Sequence, residues 1–291
     1  MATLHDRIVR AREAFAAAGI DPAEATLDAE LLARHVLGWD RAHLLAALRD
    51  PEPDTFVDRY APLVARRARR EPVSLITGVR EFWGLDFEVT PDVLTPRPET
   101  ELIIEEAIAR VPREQAALVA DVGTGSGCLA VALAIELPRA RVIATDVSGP
   151  ALNVARRNAA RHGTAARIDF RRTNVLDDVD EVFDLIVSNP PYVPDTGAQA
   201  LPEEVRGHEP HVALFGGADG LDVYRRLFPQ AASRLAAAGR LVVEIGVDQQ
   251  DRVVTLARRH GWTLDHSRRD LQRIVRTLVF AGGHSNGTAR R

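Results

Sequence analysis

The run Phe183-Asp184-Leu185-Ile186-Val187-Ser188-Asn189-Pro190-Pro191-Tyr192 decides how the rest of the chain is read. Leu, Ile and Val without a polar break, followed at once by turn residues, mark a central parallel strand that ends at its carboxyl edge. Open α/β sheets place their ligands at that edge. Two consecutive prolines then fix the backbone, remove two N–H donors and force the chain out of regular structure. The carbonyls of Asn189 and Pro190 and the Asn189 amide are held rigid and can point into a pocket. Tyr192 adds a flat aromatic face. Together they suit a planar –NH2 substrate, with two acceptors for its two hydrogens and a ring against its π-face. Read alone, the string is equally a strand, a Pro-rich loop and a tyrosine packed as ordinary core, so the surrounding sequence has to choose.

Outward from that strand, apolar runs alternate with helical patterns from residue 116 on, the signature of a parallel sheet covered on both faces. Strand one is 117–121, strand two 141–145, strand three lies near 168–171, strand four is the Phe183 run and strand five is 240–245. A closing pair falls near 262–266 and 274–280, which makes seven. Helices are expected over about 128–137, over 150–162 with Asn153 and Asn158 on its surface, and over 249–260. Strand one runs into Gly123-Thr124-Gly125-Ser126-Gly127, and strand two ends at Asp146. Glycines let the backbone approach a ligand, and an acid one strand over can accept from two ribose hydroxyls, so the arrangement binds a nucleotide. Position 128 is Cys, which disfavours the Gly-x-Gly-x-x-Gly spacing of a dinucleotide site.

Residues 1–72 read as a small all-α bundle. Leu4, Ile8, Ala11 and Phe15 recur at helical spacing, and Gly19 stops that helix. Asp21-Pro22 opens a second helix, which Gly38 ends. A third segment carries Leu44, Leu45 and Leu48, and a fourth runs from about 54 to 70. The run Arg66-Arg67-Ala68-Arg69-Arg70 is expected to be a solvated helix end, with nucleic-acid or partner contact as the other reading. Residues 73–95 form a hairpin linker, with Glu81-Phe82-Trp83 and Asp86-Phe87-Glu88-Val89 as its arms. The second domain covers 96–281, and the Gly-, Ser- and Arg-rich tail 282–291 is expected to be disordered.

Composition sets the bounds. The chain has 291 residues, 46% of them hydrophobic, enough to bury a good core. A net charge of −4 argues against gripping a duplex through its phosphates. One cysteine, Cys128, excludes an internal disulfide and fits a reducing compartment. Neither a long apolar run nor a signal-peptide pattern is present, so a soluble, cytoplasmic protein is expected.

Asp121-Val122-Gly123-Thr124-Gly125-Ser126-Gly127 is similar to the loop of S-adenosylmethionine-dependent methyltransferases. Further strings narrow the resemblance: Pro72-Val73 with Gly78, Pro96-Arg97-Pro98-Glu99-Thr100-Glu101, Asp146-Val147-Ser148, Asn189-Pro190-Pro191-Tyr192, Glu209-Pro210, Gly216-Gly217 with Gly220-Leu221, and Glu244-Ile245-Gly246. With them the chain resembles, over nearly its whole length, the HemK/PrmC family of protein-(glutamine-N5) methyltransferases. Asn-Pro-Pro-Tyr alone is shared with adenine-N6 methyltransferases of DNA and RNA.

The resemblance implies an α/β fold: a Rossmann-like, seven-stranded S-adenosylmethionine-dependent methyltransferase domain preceded by a small all-α bundle that helps grip the partner. It implies methyl transfer from S-adenosyl-L-methionine to the side-chain amide of the Gly-Gly-Gln glutamine in class 1 peptide-chain release factors. The implied cofactor set is Asp121, Gly123, Thr124, Gly125, Ser126, Gly127, Asp146, Asn174, Val175 and Asn189. The implied substrate set is Asn189, Pro190, Pro191, Tyr192, Arg97 and Glu209, with Asn189, Pro190 and Tyr192 catalytic and no metal. Three positions depart from the family pattern. Asn174 stands where Asp is common and can still accept from the adenine amine without charge. Leu75 replaces a commoner Tyr or His, and Arg273 stands where Gly is frequent, which bears on the local turn.

An amide nitrogen is a poor nucleophile because its lone pair is delocalised. Acceptors at Asn189 and Pro190 would aim it and stabilise the charge developing on it, with Tyr192 stacked on the amide plane. His208, Glu209 and His211 have metal-like spacing but lack further ligands at zinc-site intervals, so they read as loop polar residues. Cys128 reads as a small core residue rather than a reactive thiol. Residues 193–219 show no periodicity and are expected to be a substrate-facing lid. The alternative function is an adenine-N6 methyltransferase, which needs base flipping and usually a basic surface. A non-catalytic cofactor-binding protein is a third reading, opposed by intact Asp146 and Asn189. A monomer is expected.

Overall fold

The N-terminal apolar periodicities become helices in the computed structural model, which describes residues 2–282. They are α1 (Leu4–Ala17), α2 (Pro22–Leu37), α3 (Arg41–Ala46), α4 (Phe56–Arg67) and α5 (Val73–Thr77). Several boundaries have a chemical cause. Thr3 and Asp6 form a reciprocal capping box at the start of α1. Asp21 caps α2 with Pro22 in its first turn, and Gly38 closes it in the left-handed region. Leu4, Phe15, Leu32, Leu44 and Phe56 form its core and are all but inaccessible to solvent.

This unit comprises Met1–Val79 together with Leu201–His208. It therefore extends past the expected boundary at 72. Pro72 and Gly78, read as linker punctuation, instead bracket α5: Pro72 is its N-cap, and Gly78 ends it at φ 73°. The arginine run is not a solvated helix end. Arg67 is 1% exposed, and its guanidinium pairs with Asp28 at 2.6 Å, Glu24 at 2.9 Å and Glu204 at 3.0 Å. Arg70 reaches the same Glu204 at 2.8 Å, and Arg66 pairs with Glu71. Arg67 alone of the four arginines is buried, with counter-charges drawn from elsewhere in the chain, while Arg69 stays exposed.

The second unit comprises Arg80–Ala200 and Glu209–Arg291. In chain order its elements are β1 (Val79–Phe82) and β2 (Leu85–Glu88), forming the hairpin, then α6 (Glu101–Arg110), β3 (Leu118–Val122), α7 (Cys128–Glu136), β4 (Arg141–Asp146), α8 (Gly149–Arg161), β5 (Ile168–Arg172) and β6 (Phe183–Ser188). After the short helices α9 (Glu203–His208, in the first unit) and α10 (His211–Leu214) come α11 (Asp222–Arg234), β7 (Leu235–Glu244), α12 (Gln250–Arg259), β8 (Trp262–Arg269) and β9 (Val275–Gly282). Gly282, expected to open the tail, closes the last strand, and 283–291 lie outside the described residues.

The seven-stranded sheet runs β5-β4-β3-β6-β7-β9-β8, parallel except for the pairings of β9 with β7 and with β8. Leu185 and Val187 of β6 pack on the face covered by α6 and α7, and Ile186 on the face covered by α11 and α12. All three are wholly buried, each contributing about 1.5–3 kcal/mol. The chain steps from β3 to β4 and β5 in one direction, then to β6 and β7 in the other. The loops after β3 and β6 therefore leave opposite sides of a switch point, and a crevice opens between them.

Three further expectations need correction. Helix α11 falls where no helix was expected, although Tyr224, Leu227, Phe228 and Ala231 recur at helical spacing and are buried. The expected lid at 193–219 is largely helical: a 3-10 segment at Asp195–Ala200 is followed by α9 and α10. Asn158 is not on the surface of α8. It is fully buried, accepts from the Glu88 amide at 2.7 Å and donates to the Ser126 carbonyl at 2.9 Å, fastening the hairpin to the glycine loop.

Candidate active site

At the switch point lies a cavity of about 240 Å3. It is lined by the loop after β3, by Asp146 at the end of β4, by Asn174 and Val175 after β5, and by Asn189, Pro190 and Pro191 after β6. Two half-sites therefore share one space.

In the first half, Gly123 and Gly125 have φ of 76° and 55°, and a Cβ on either would meet no atom within 4 Å. Bare backbone here faces open room, the condition for a ligand to sit against it. Asp146 is anchored at both oxygens: Oδ2 accepts from the Gly125 amide and Oδ1 from the Ser148 amide, each at 2.9 Å. Burial pushes its carboxyl upward, opposed by those backbone donors. Thr145 Oγ1 donates to the Val175 carbonyl at 2.8 Å, holding Val175 at φ 59°. A β-branched residue in the left-handed region is strained by about 1–3 kcal/mol, and here it forms part of the cavity wall.

Asp121 lies beneath the loop rather than in the cavity lining. It is fully buried, accepts from Thr124 Oγ1 at 2.6 Å and from the Ala130 amide at 3.1 Å, and its Oδ1 has no partner. Burial lifts its carboxyl to about 7. Its observed contacts shape the glycine turn. Cys128 lines the cavity, but burial pushes its thiol up to about 12, so the reactive thiolate is not formed near neutral pH.

In the second half, Asn189 Nδ2 donates to Thr100 Oγ1 at 2.9 Å, which leaves the amide oxygen as the end available to the cavity. Tyr192 is not among the lining residues. Its hydroxyl donates to Glu244 Oε1 at 3.2 Å, and its carbonyl accepts from Gln249 Nε2 at 2.8 Å. Gly220 presses so close to that carbonyl that a Cβ there would collide with it. Arg97 lines the cavity, and its Nη2 reaches both oxygens of the buried Glu209 at 2.7 Å. Glu209 thus stands behind Arg97 and fixes its direction, its own carboxyl pushed up by burial. Of the residues expected at the site, Asp121, Tyr192 and Glu209 support the wall, while Thr124, Ser126, Asp146, Asn174, Val175, Asn189, Pro190, Pro191 and Arg97 form it with the glycines. Thr100 and Glu244 were not singled out from sequence. Both sit in strings already quoted, Thr100 in the Pro-Arg-Pro run and Glu244 before Ile245-Gly246, and only the fold joins them. Among the described residues no three His, Cys, Asp or Glu side chains gather as a metal site, and no helix is long and apolar enough to cross a membrane.

Sheet order, glycine turn and proline corner together make this a Rossmann-like methyltransferase. In fold it is similar to a methyltransferase from Pyrococcus furiosus, with a TM-score of 0.54 and 19% identity over 78% of this chain and 100% of that one. Family models for the PrmC N-terminal domain and the methyltransferase small domain match residues 7–78 and 100–204. The release factor glutamine methyltransferase of Geobacter sulfurreducens is 47% identical over 239 residues, 82% of this chain and 83% of that protein. Its counterpart from Cereibacter sphaeroides is 48% identical over 246 residues, 84% and 86% of the respective chains. The chain belongs to the release factor glutamine methyltransferase family.

Proposed function

We propose that this enzyme transfers a methyl group from S-adenosyl-L-methionine to the side-chain amide nitrogen of the glutamine in the Gly-Gly-Gln motif of class 1 release factors, acting as a monomer in the cytoplasm. The observation that carries this reading is the Asn189 amide, held by its nitrogen so that its oxygen is the end left for a cavity it shares with the glycine turn and Asp146. The donor, when bound, supplies a methyl group made electrophilic by a positively charged sulfur. The residues present fit it: open backbone at Gly123 and Gly125, a braced carboxylate at Asp146 for a ribose diol, and the Asn174 amide for an adenine edge.

On the acceptor side, Asn189 Oδ1 and the Pro190 carbonyl receive the two hydrogens of the substrate amide and orient its nitrogen. Formation of the N–C bond would be matched by loss of the methyl–sulfur bond, whose electron pair leaves on sulfur as a neutral thioether, and the nitrogen would release one proton to solvent while the two acceptors stabilise the charge change without moving. Arg97, braced by Glu209, offers its remaining donors to a substrate carbonyl. The adenine-N6 alternative is not favoured by the family relationships reported above. Incubation of the full chain with donor and a release factor, followed by mass spectrometry of its peptides, should locate a gain of about 14 Da on the Gly-Gly-Gln glutamine. Methyl incorporation into nucleic acid alone would overturn the reading.

A separate outcome concerns the donor half. Asp146→Ala should weaken donor binding by about 10–100-fold in calorimetric titration, because charge-assisted hydrogen bonds contribute about 1.5–3 kcal/mol. Unchanged affinity would remove Asp146 from the donor site.

A further inference from the structure

Glu244 is a buried carboxylate that the transfer as described does not use. It ends β7 beside β6 and receives two hydroxyl protons: Thr100 Oγ1 donates to Oε2 at 2.6 Å, and the Tyr192 hydroxyl to Oε1. Thr100 has one hydroxyl proton, committed to Glu244, so towards Asn189 its oxygen can only accept. Asn189 Nδ2 lies 2.9 Å from that oxygen and is the donor. A primary amide pinned by its nitrogen has one end left, the oxygen. Thr100 also lines the cavity while Glu244 lies beneath it, and the direction of these two hydrogen bonds selects what Asn189 presents there.

We propose that Thr100 and Glu244 are positioning residues for the methyl transfer: the ionised Glu244 carboxylate, acting through the Thr100 hydroxyl, holds the Asn189 amide with its oxygen towards the acceptor nitrogen. This rests on the reading of Asn189 as the acceptor of the substrate –NH2. A protonated Glu244 reverses the chain. Its carboxyl donates to Thr100, Thr100 turns its own proton to Asn189, and the amide flips to meet that proton with its oxygen. Asn189 then offers N–H donors to a substrate –NH2, donor against donor.

The groups facing Glu244 are Glu99 and Thr100 on a 3-10 turn (Pro98–Thr100) before α6, Tyr192 after β6, Arg276 on β9 and Cys128 on α7, while the Tyr224 hydroxyl of α11 donates to its backbone carbonyl. Burial foremost, reinforced by Glu99 and opposed by the Thr100 and Tyr192 hydroxyls and by Arg276, brings the carboxyl to about 7. The active form is the ionised one, so kcat is present above that pH and lost as pH falls through it.

The test uses the full chain, the donor and a release-factor peptide carrying Gly-Gly-Gln. Thr100→Val keeps the shape and removes the hydroxyl, and should lower kcat about 10–100-fold, the range for partners that orient a functional side chain. Donor Kd should stay within about threefold, and Thr100→Ser should restore most of the rate. Glu244→Gln should abolish the acid limb of kcat near pH 7. A Thr100→Val enzyme at the wild-type rate, a Thr100→Ser enzyme no better than Thr100→Val, or an acid limb that survives in Glu244→Gln would each overturn the proposal. A second readout needs no substrate. Solvent exchange of the Asn189 side-chain amide protons, assigned by their loss in Asn189→Ala, should quicken about tenfold in Thr100→Val, and unchanged exchange defeats the proposal. If wild-type enzyme leaves the peptide unmethylated while exchange quickens as expected, the failure belongs to the substrate reading and the hydrogen-bond chain stands.

Discussion

Asn189→Ala should lower kcat by about 10²–10³-fold while leaving donor Kd within about threefold, a loss of the size seen when one aimed hydrogen-bonding group is removed from a reacting centre. The size follows from the chemistry. An amide nitrogen attacks only when its electrons are drawn out of conjugation, and in the proposed transfer Asn189 Oδ1 is one of the two oxygens that do so. Pro190 remains in the variant, so orientation is lost in part rather than altogether. Asn189→Gln is a useful control. It keeps the amide but displaces it by one methylene, and since a misplacement of about 1 Å can cost 10²-fold, it should not rescue. Steady-state kinetics and a donor titration decide the matter. A defect confined to KM, or none, would take Asn189 out of the transfer.

The second large effect falls in the helical unit. Arg67→Met keeps the apolar stem and removes the guanidinium that joins Asp28, Glu24 and Glu204. Removing one partner from a buried ionic cluster typically costs about 3–5 kcal/mol, because the partners left behind, here Asp28 and Glu204, stay largely buried without their cation, whereas Glu24 is exposed. Trp39 is the tryptophan of this unit, so denaturant titration followed by its fluorescence reports the loss. Acid should partly reverse it. Burial raises the Asp28 carboxyl above its usual value even beside Arg67, and loss of the cation raises it further. A carboxyl whose folded pKa exceeds its unfolded one contributes stability that is full below the unfolded value and lost as pH rises through the folded one. The variant should therefore regain stability as pH falls through the raised Asp28 carboxyl towards the ordinary carboxylate range, where the gain is complete. A change under about 1 kcal/mol would mean that the cluster behaves like a set of surface pairs.

These two residues mark the reach and the limit of reading the chain by eye. Asn189 was legible because the strand before it is continuously apolar and the prolines after it leave few conformations, so one short window contains both the placement and the rigidity. The same holds for Gly123 to Asp146, where strand, turn and acid follow in order. Arg67 was not legible. Its window shows four arginines in five positions, and the carboxylates that bury it lie 39 and 137 residues away. Thr100 and Glu244 are 144 residues apart and meet only because the start of α6 packs against β7. Helix α11 is a different case. Its apolar spacing is regular, but Pro229 inside it and a polar outer face weaken the pattern. Tyr192 shows how a correct element can mislead about a side chain: the turn is where the sequence places it, yet its hydroxyl is drawn to a buried carboxylate that no local pattern announces.

The segment Leu201–His208 carries a consequence for how this enzyme can be cut and recombined. The backbone passes between the two units at 79, returns to the first at 201 and leaves it again at 209. Three covalent crossings make the helical unit an interrupted module rather than a detachable prefix. Deleting it at 79 would strand an eight-residue fragment containing Glu204, and grafting residues 1–79 onto another catalytic domain would leave Arg67 short of one of its carboxylates. A terminal fusion or truncation at 79 therefore splits the unit, and an engineered exchange has to carry 201–208 along with it.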